Sequence, residues 1–457
     1  MGWINTWILG MLSTVLFAAI PAQPRTEPQI ENSCRATFVR YFHSAVQGLD
    51  SLRGTRGLVR DTVLVDLKDQ TLPYHEYFAP TDVGLDLMVQ LGRWSIADKA
   101  SPEREAAVNA ITATLSTLET LERHAESGLF LRLYNDTNGA PRDRDVSSID
   151  NLHLALGLWT LSKQWITEHP QLAKSAATLV EGMDFSSFFD PTTESVGGNL
   201  AYQPIDGRYV LDAYRFEIGS EARSLFSVGY ALGLFRNIAD EKLLSALQRA
   251  PLELTSDRKT FRVWDGGVFQ SLLPTLLTGS QSLSDLENSN LNEVFLRVFS
   301  PKAIFPRALS ASVTHVDLEK KIVRYSGKIG IKELKRTLNV DVLSEGVVVP
   351  HALFLAAMAT PCEALPAIEK LEKDLYSAQT GWWVSGEVRN TENNSPLLSA
   401  NRALVGVDKG IEALALLTLL DENHRSPSAQ MLHQDPEIKK RLVNVLEIVD
   451  KRRNETE

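Results

Sequence analysis

Apolar residues recur along most of this chain at intervals of three and four, which is the spacing of helices with one buried side. Phe38, Phe42, Val46 and Leu49 predict a helix over 34–52. Val83, Leu87, Leu91 and Trp94 predict another over 79–94, opened by Pro80 with Thr81 and Asp82 as its cap. Ser101 as cap and Pro102 in the first turn start a third, with Val108, Ile111, Leu115 and Leu118 buried. Ser147 or Ser148 caps a fourth, which carries Ile149, Leu152, Leu156 and Trp159. Further helical stretches fall at 172–182, 241–249, 286–299, 350–358, 363–376, 401–420 and 436–449. Residues 261–277 pass from a strand-like start through Gly266 and Gly267 into a helix kinked or stopped near Pro274. The alternating stretches 61–67, 129–134 and 309–328 predict short β excursions, and 185–207 is a loop rich in aromatics and glycine. No solenoid-length repeat and no strand–helix alternation is evident, so the chain is mostly helical, with about twelve helices.

Two polar groupings interrupt this pattern. Glu217 and Glu221 stand four residues apart, with Gly219 and Ser220 between them and Leu225, Phe226, Val228 and Leu232 following at helical spacing. With Ser220 as cap, Glu221 falls in the first turn of a helix whose back is buried. Such a pair is either a solvated helix face or two carboxyl groups at the edge of a cavity. Asp150 and Asn151 also fall in a first turn, where the ordinary role of an aspartate is to offset the helix dipole.

The 457 residues suit one large helical toroid or two domains, and 44% hydrophobic with 23% charged residues allows a sizeable core. A net charge of -10 argues against nucleic acid or an anionic membrane as partner and fits a neutral substrate. Residues 7–20 are apolar and are followed by Ala18, Ala19 and Ala22 around a cleavage site, which predicts a signal peptide over 1–22. Residues 1–6 lack Lys and Arg, so an uncleaved N-terminal anchor is the alternative. Both readings place the protein in the periplasm or outside the cell, or anchored to the inner membrane. Residues 23–33 read as a linker and 34–457 as a single domain. Cys34 and Cys362 read as two buried free thiols, with a bridge as the alternative in an exported protein. There is no CxxC and no His–Cys cluster, so no metal and no cofactor are expected.

Seven short segments, in order over roughly 75–420, together resemble the glycoamylase-like family. That group includes bacterial endo-β-1,2-glucanases and the glycoamylase-like domain of cyclic β-1,2-glucan synthases. Pro80-Thr81-Asp82-Val83-Gly84-Leu85 resembles its PTNIGL, and 130–151 its HFYNWYD…VSTVDSGN, with Asp150 on the aspartate. Ser220-Glu221-Ala222-Arg223 is similar to its SEAR, 264–274 to its W-S-G-T-M-F-E-Y-L-M-P, and 347–356 to VVAPYATFLAL. Gly381-Trp382-Trp383 resembles GFY, and Val407-Asp408-Lys409-Gly410 a late HHQG or IDQG helix start.

The resemblance implies an all-α (α/α)6 toroid with short β excursions in its loops, acting on β-1,2-linked glucose chains. Glu221 would then be the general acid and Asp150 a group that positions sugar or water. Asn151, Glu217, Gln270, Trp264, Tyr134, Asp408 and Trp382 are the expected substrate contacts, the aromatics as sugar platforms. A neutral glucan would be the partner, with envelope polysaccharide machinery beyond it. Glu221 can serve as an acid only if burial or a nearby carboxylate raises its pKa, and Glu217 is close enough in sequence to do so, while Arg215 and Arg223 could oppose it. The chain departs from the family where MFEY becomes Val268-Phe269-Gln270-Ser271 and where GISES becomes a stretch around Ser310-Ala311-Ser312 without Glu. A synthase-type transglycosylase is therefore disfavoured. A hydrolase and a non-catalytic glycan-binding or biosynthesis accessory protein both remain, and a polysaccharide lyase is a weaker third reading.

Overall fold

The computed structural model describes residues 27–336, 341–343, 346–390 and 396–455. The signal-peptide stretch lies outside the described residues. Helix α1 (Glu27–Leu52) begins inside the segment read as a linker. Five further helices are buried on nearly all faces: α2 (Pro80–Ile96), α4 (Ser148–Gln164), α7 (Val268–Thr278), α9 (Pro350–Ala357) and α12 (Gly406–Leu420). A short helical segment at 223–231, wound as a π-helix over Leu225–Gly229, completes the inner six.

Against them pack amphipathic helices with one buried side. These are α1, α3 (Pro102–Leu118), α5 (Pro170–Glu181), α6 (Asp240–Arg249), α8 (Asp285–Val298) and α10 (Pro361–Glu369). This inner and outer alternation is the (α/α)6 toroid that the family resemblance implied, and among the described residues no sheet closes into a barrel. A single turn α11 (Glu372–Leu375) and the helices α13 (Pro427–Gln434) and α14 (Pro436–Glu455) are additions. Ser101 and Ser147 cap α3 and α4 as the sequence predicts, accepting hydrogen bonds from Arg104 N and Asp150 N. At α2 the cap differs: the Asp82 carboxylate accepts from Ala79 N at 3.1 Å, while the Thr81 hydroxyl is used elsewhere.

Two features set up the mouth of the toroid. Gly84 on α2 faces Gly157 on α4 so closely that a Cβ on either would sit about 2.5 Å from backbone atoms of the other helix. The backbones touch, and the N-terminal ends of α2 and α4 are drawn together. Antiparallel strands Ser312–Asp317 and Ile322–Ser326 form a hairpin at the same end. Val313, with Leu64, Val384, Ala403 and Val405, builds a second apolar cluster beneath it, and Val323 packs against that cluster.

Cys34 and Cys362 are joined in a disulfide across 328 residues, with Cα atoms 5.7 Å apart. This corrects the reading of two free thiols. The bond ties α1 to the first turn of α10, two elements that no local sequence signal pairs.

Candidate functional site

The N-terminal ends of the inner helices converge on a cavity of about 500 Å³. Asp150, Glu221 and Gln270, predicted from three distant segments, all line it. So do Thr81, Ser147, Ile149, His153 and Phe269 from the helix starts. One wall comes from the loop that includes Asn199, Tyr214 and Phe216, held to the base of α4 by pairing of Ser147 with Asn199. Tyr325 from the hairpin and Arg132 reach in from other sides.

Glu221 does not sit in a helical first turn. Ser220 Oγ accepts from Ala222 N at 3.2 Å, and regular helix starts only at residue 223. The loop carrying Glu221 is pinned from behind. The buried Arg223 guanidinium donates to the carbonyls of Ile218, Gly219 and Ser220 at 3.1–3.3 Å and to Ser271 O at 2.8 Å, and its Nε meets Glu287 Oε1 at 2.5 Å. Arg223 is thus committed to α8 and to the backbone, and Arg215 pairs with Asp190 at 2.9 Å, so neither neutralises Glu221. The Glu221 carboxyl makes no hydrogen bond or ion pair to any described side chain. Burial pushes its pKa up to about 8, with the charges of Asp150 and Asp265 adding to the shift.

The repelling neighbours are therefore not the one anticipated. Glu217 turns away from the cavity and pairs with Arg336. Burial raises its pKa, and Arg336 opposes the rise. Asp265, which the sequence reading passed over, is wholly buried at the start of α7. Its Oδ1 accepts from Gly267 N at 2.7 Å across Gly266, which takes a φ of 76° open chiefly to glycine. Its Oδ2 has no partner among the described residues, and burial lifts its pKa to about 7.

Asp150 is oriented by α2. Thr81 Oγ1 donates to Asp150 Oδ1 at 2.6 Å, and His153 Nδ1 lies 3.2 Å from the same hydroxyl. Burial lowers the His153 pKa to about 4, so the ring is neutral; with the Thr81 proton directed at Asp150, Nδ1 carries the hydrogen that Thr81 accepts.

The other expected contacts fall elsewhere. Asn151 is a buried brace, bonded to Phe130 N and O and to Ser147 O. Tyr134 is fully buried, stacked on Phe78, with its hydroxyl donated to Glu122 O at 2.6 Å. Trp382 is fully buried among Tyr41, Phe354 and Tyr376. These three are core and scaffold, because an aromatic or amide beside a motif is still drawn inward wherever the toroid has a space to fill. Trp264 is partly exposed but does not line the cavity. Asp408 is buried behind Val407, accepts from Ser312 Oγ at 2.9 Å and lies 3.5 Å from His351 Nδ1. Among the described residues no group of three or more His, Cys, Asp or Glu is arranged to hold a metal ion.

No family model and no curated protein matches this sequence. Solved structures do. The endo-β-1,2-glucanase of Talaromyces funiculosus in complex with sophorose superposes with a TM-score of 0.75 at 12% identity, covering 95% of this chain and 92% of its own. A variant of that enzyme in complex with β-1,2-glucan gives 0.74 at 12% identity over 93% and 92%. The endo-β-1,2-glucanase of Chitinophaga pinensis with sophorotriose and glucose gives 0.65 at 15% identity over 93% and 98%. In agreement with the glycoamylase-like resemblance of its motifs, this chain has the (α/α)6 fold of these glucanases over nearly its whole length.

Proposed function

We propose that this protein is an exported glycoside hydrolase of β-1,2-glucan or a related bacterial β-glucan. The observation that carries the reading is the Glu221 carboxyl: it lines the cavity without a bonding partner among the described side chains, with a pKa near 8 and Asp150 among its neighbours. At neutral pH it holds a proton that it can give to the glycosidic oxygen as the bond to the anomeric carbon breaks. Asp150, fixed through one oxygen by Thr81, has its second oxygen for a sugar hydroxyl or for the water that attacks the anomeric carbon. Gln270, with an Oε1 that has no partner among the described residues, would accept from a sugar hydroxyl. The neutral substrate agrees with the net charge of -10, and the neighbouring folds are those of enzymes bound to sophorose and β-1,2-glucan. The disulfide and the apolar residues 7–20 support export to an oxidising compartment.

One observation favours a second reading. Gln270 stands where the resembled family has a carboxylate and cannot exchange a proton, as a glycan-binding accessory protein would allow. Incubation with β-1,2-, β-1,3- and β-1,4-glucans, with oligosaccharide release and binding both measured, separates the two. Release from β-1,2-glucan supports the hydrolase. Binding with no release from any of them supports the accessory protein.

A further inference from the structure

Val323 and Tyr325 are two residues apart on one strand and therefore share a face of the hairpin. Val323 packs inward on the apolar cluster. Tyr325 points the same way but meets no core: it is 57% exposed, and among the described residues it stacks on no other ring and its hydroxyl makes no hydrogen bond. It lies over the open side of the cavity that Glu221 and Asp150 line. The arm that carries it is fixed at three points. Ser312 Oγ donates to Asp408, Ser385 Oγ donates to Val313 O, and Val323 N donates to the Tyr74 hydroxyl at 3.4 Å. The ring is thus held by an anchored arm on the face turned to the cavity, and its open side is available to a ligand there.

We propose that Tyr325 is a substrate-contacting residue of this cavity, its ring stacking on a pyranose beside the bond to be cleaved and its hydroxyl donating to a sugar oxygen. The proposal rests on reading the cavity as a glucan site. It assigns the open wall of that site to the hairpin rather than to the tryptophans near the motifs.

Affinity for a β-1,2-gluco-oligosaccharide is measured by calorimetry in a Glu221→Gln background, so that no turnover interferes. Tyr325→Ala should weaken binding about three- to tenfold, the range of a lost aromatic stacking contact, while Tyr325→Phe keeps the ring and loses less. In the active enzyme Tyr325→Ala should raise KM more than it lowers kcat. Melting temperatures should not move, since the side chain touches no core. Unchanged affinity in Tyr325→Ala, with the parent binding normally, would overturn this proposal alone. A parent that binds no β-1,2-glucan would overturn the functional reading and this proposal with it.

Discussion

Thr81 and Asp150 are joined by a 2.6 Å hydrogen bond that links the first turns of two neighbouring inner helices. The bond exists because Gly84 and Gly157 let those helices touch. A neutral His153 behind Thr81 leaves its hydroxyl proton directed at the carboxylate. Among the described residues Asp150 therefore has one oxygen without a side-chain partner, held in one orientation. Thr81→Val keeps the shape and removes the donor. It should lower kcat for glucan hydrolysis by about ten- to a hundredfold, the worth of a hydrogen bond to a charged group, while Thr81→Ser restores most of it. Steady-state kinetics on the two variants checks this.

The raised pKa of Glu221 has a cost in stability whose sign can be worked out. Below about pH 4.5 the carboxyl is protonated both folded and unfolded, and no penalty arises. Between there and about pH 8 the unfolded chain ionises while the folded one does not, so the relative stability of the fold is lost steadily as pH rises. Glu221→Gln removes that term. The variant should match the parent near pH 4 and exceed it at pH 8, by up to about 4 kcal/mol, in denaturant unfolding followed by circular dichroism.

Asp265 reaches the chemistry only through its charge on Glu221. Activity should hold across neutral pH and fall above about pH 8, as Glu221 loses its proton. Asp265→Asn keeps the acceptor for Gly267 N and removes the charge, so the alkaline limb of the kcat/KM profile should move to lower pH. A limb that stays in place would detach Asp265 from the site.

Much of this was legible in the sequence, because caps and apolar stripes are local signals. Ser101 and Ser147 mark their helix starts in the residues themselves, and Asp150, Glu221 and Gln270 could be placed by the order of short motifs. The misses share a cause: they depend on distant partners. The carboxylate four residues before Glu221 was the natural source of repulsion, yet Arg336, 119 residues away, claims it. Asp265 before two glycines reads as a turn former, and only the fold shows that the turn is buried beside the acid. Tyr325 reads as one position of an ordinary hairpin. Tyr134 and Trp382 read as platforms because nothing local distinguishes an aromatic that fills the core from one that lines a cavity.

The disulfide closes a loop of 328 residues and ties the first helix to α10. Cys34→Ser with Cys362→Ser should lower unfolding free energy by about 3–5 kcal/mol, through the freedom returned to the unfolded chain. Dithiothreitol should then lower the melting temperature of the parent and leave that of the double variant unchanged.

The most direct measurement is the chain length of β-1,2-glucan after incubation with the parent and with Glu221→Gln at pH 6–7. A protonated Glu221 as the acid predicts shortened chains with the parent and release slowed at least about a hundredfold in the variant, whose fold is intact by circular dichroism. Undegraded glucan with the parent, or equal rates for the two proteins, would contradict it.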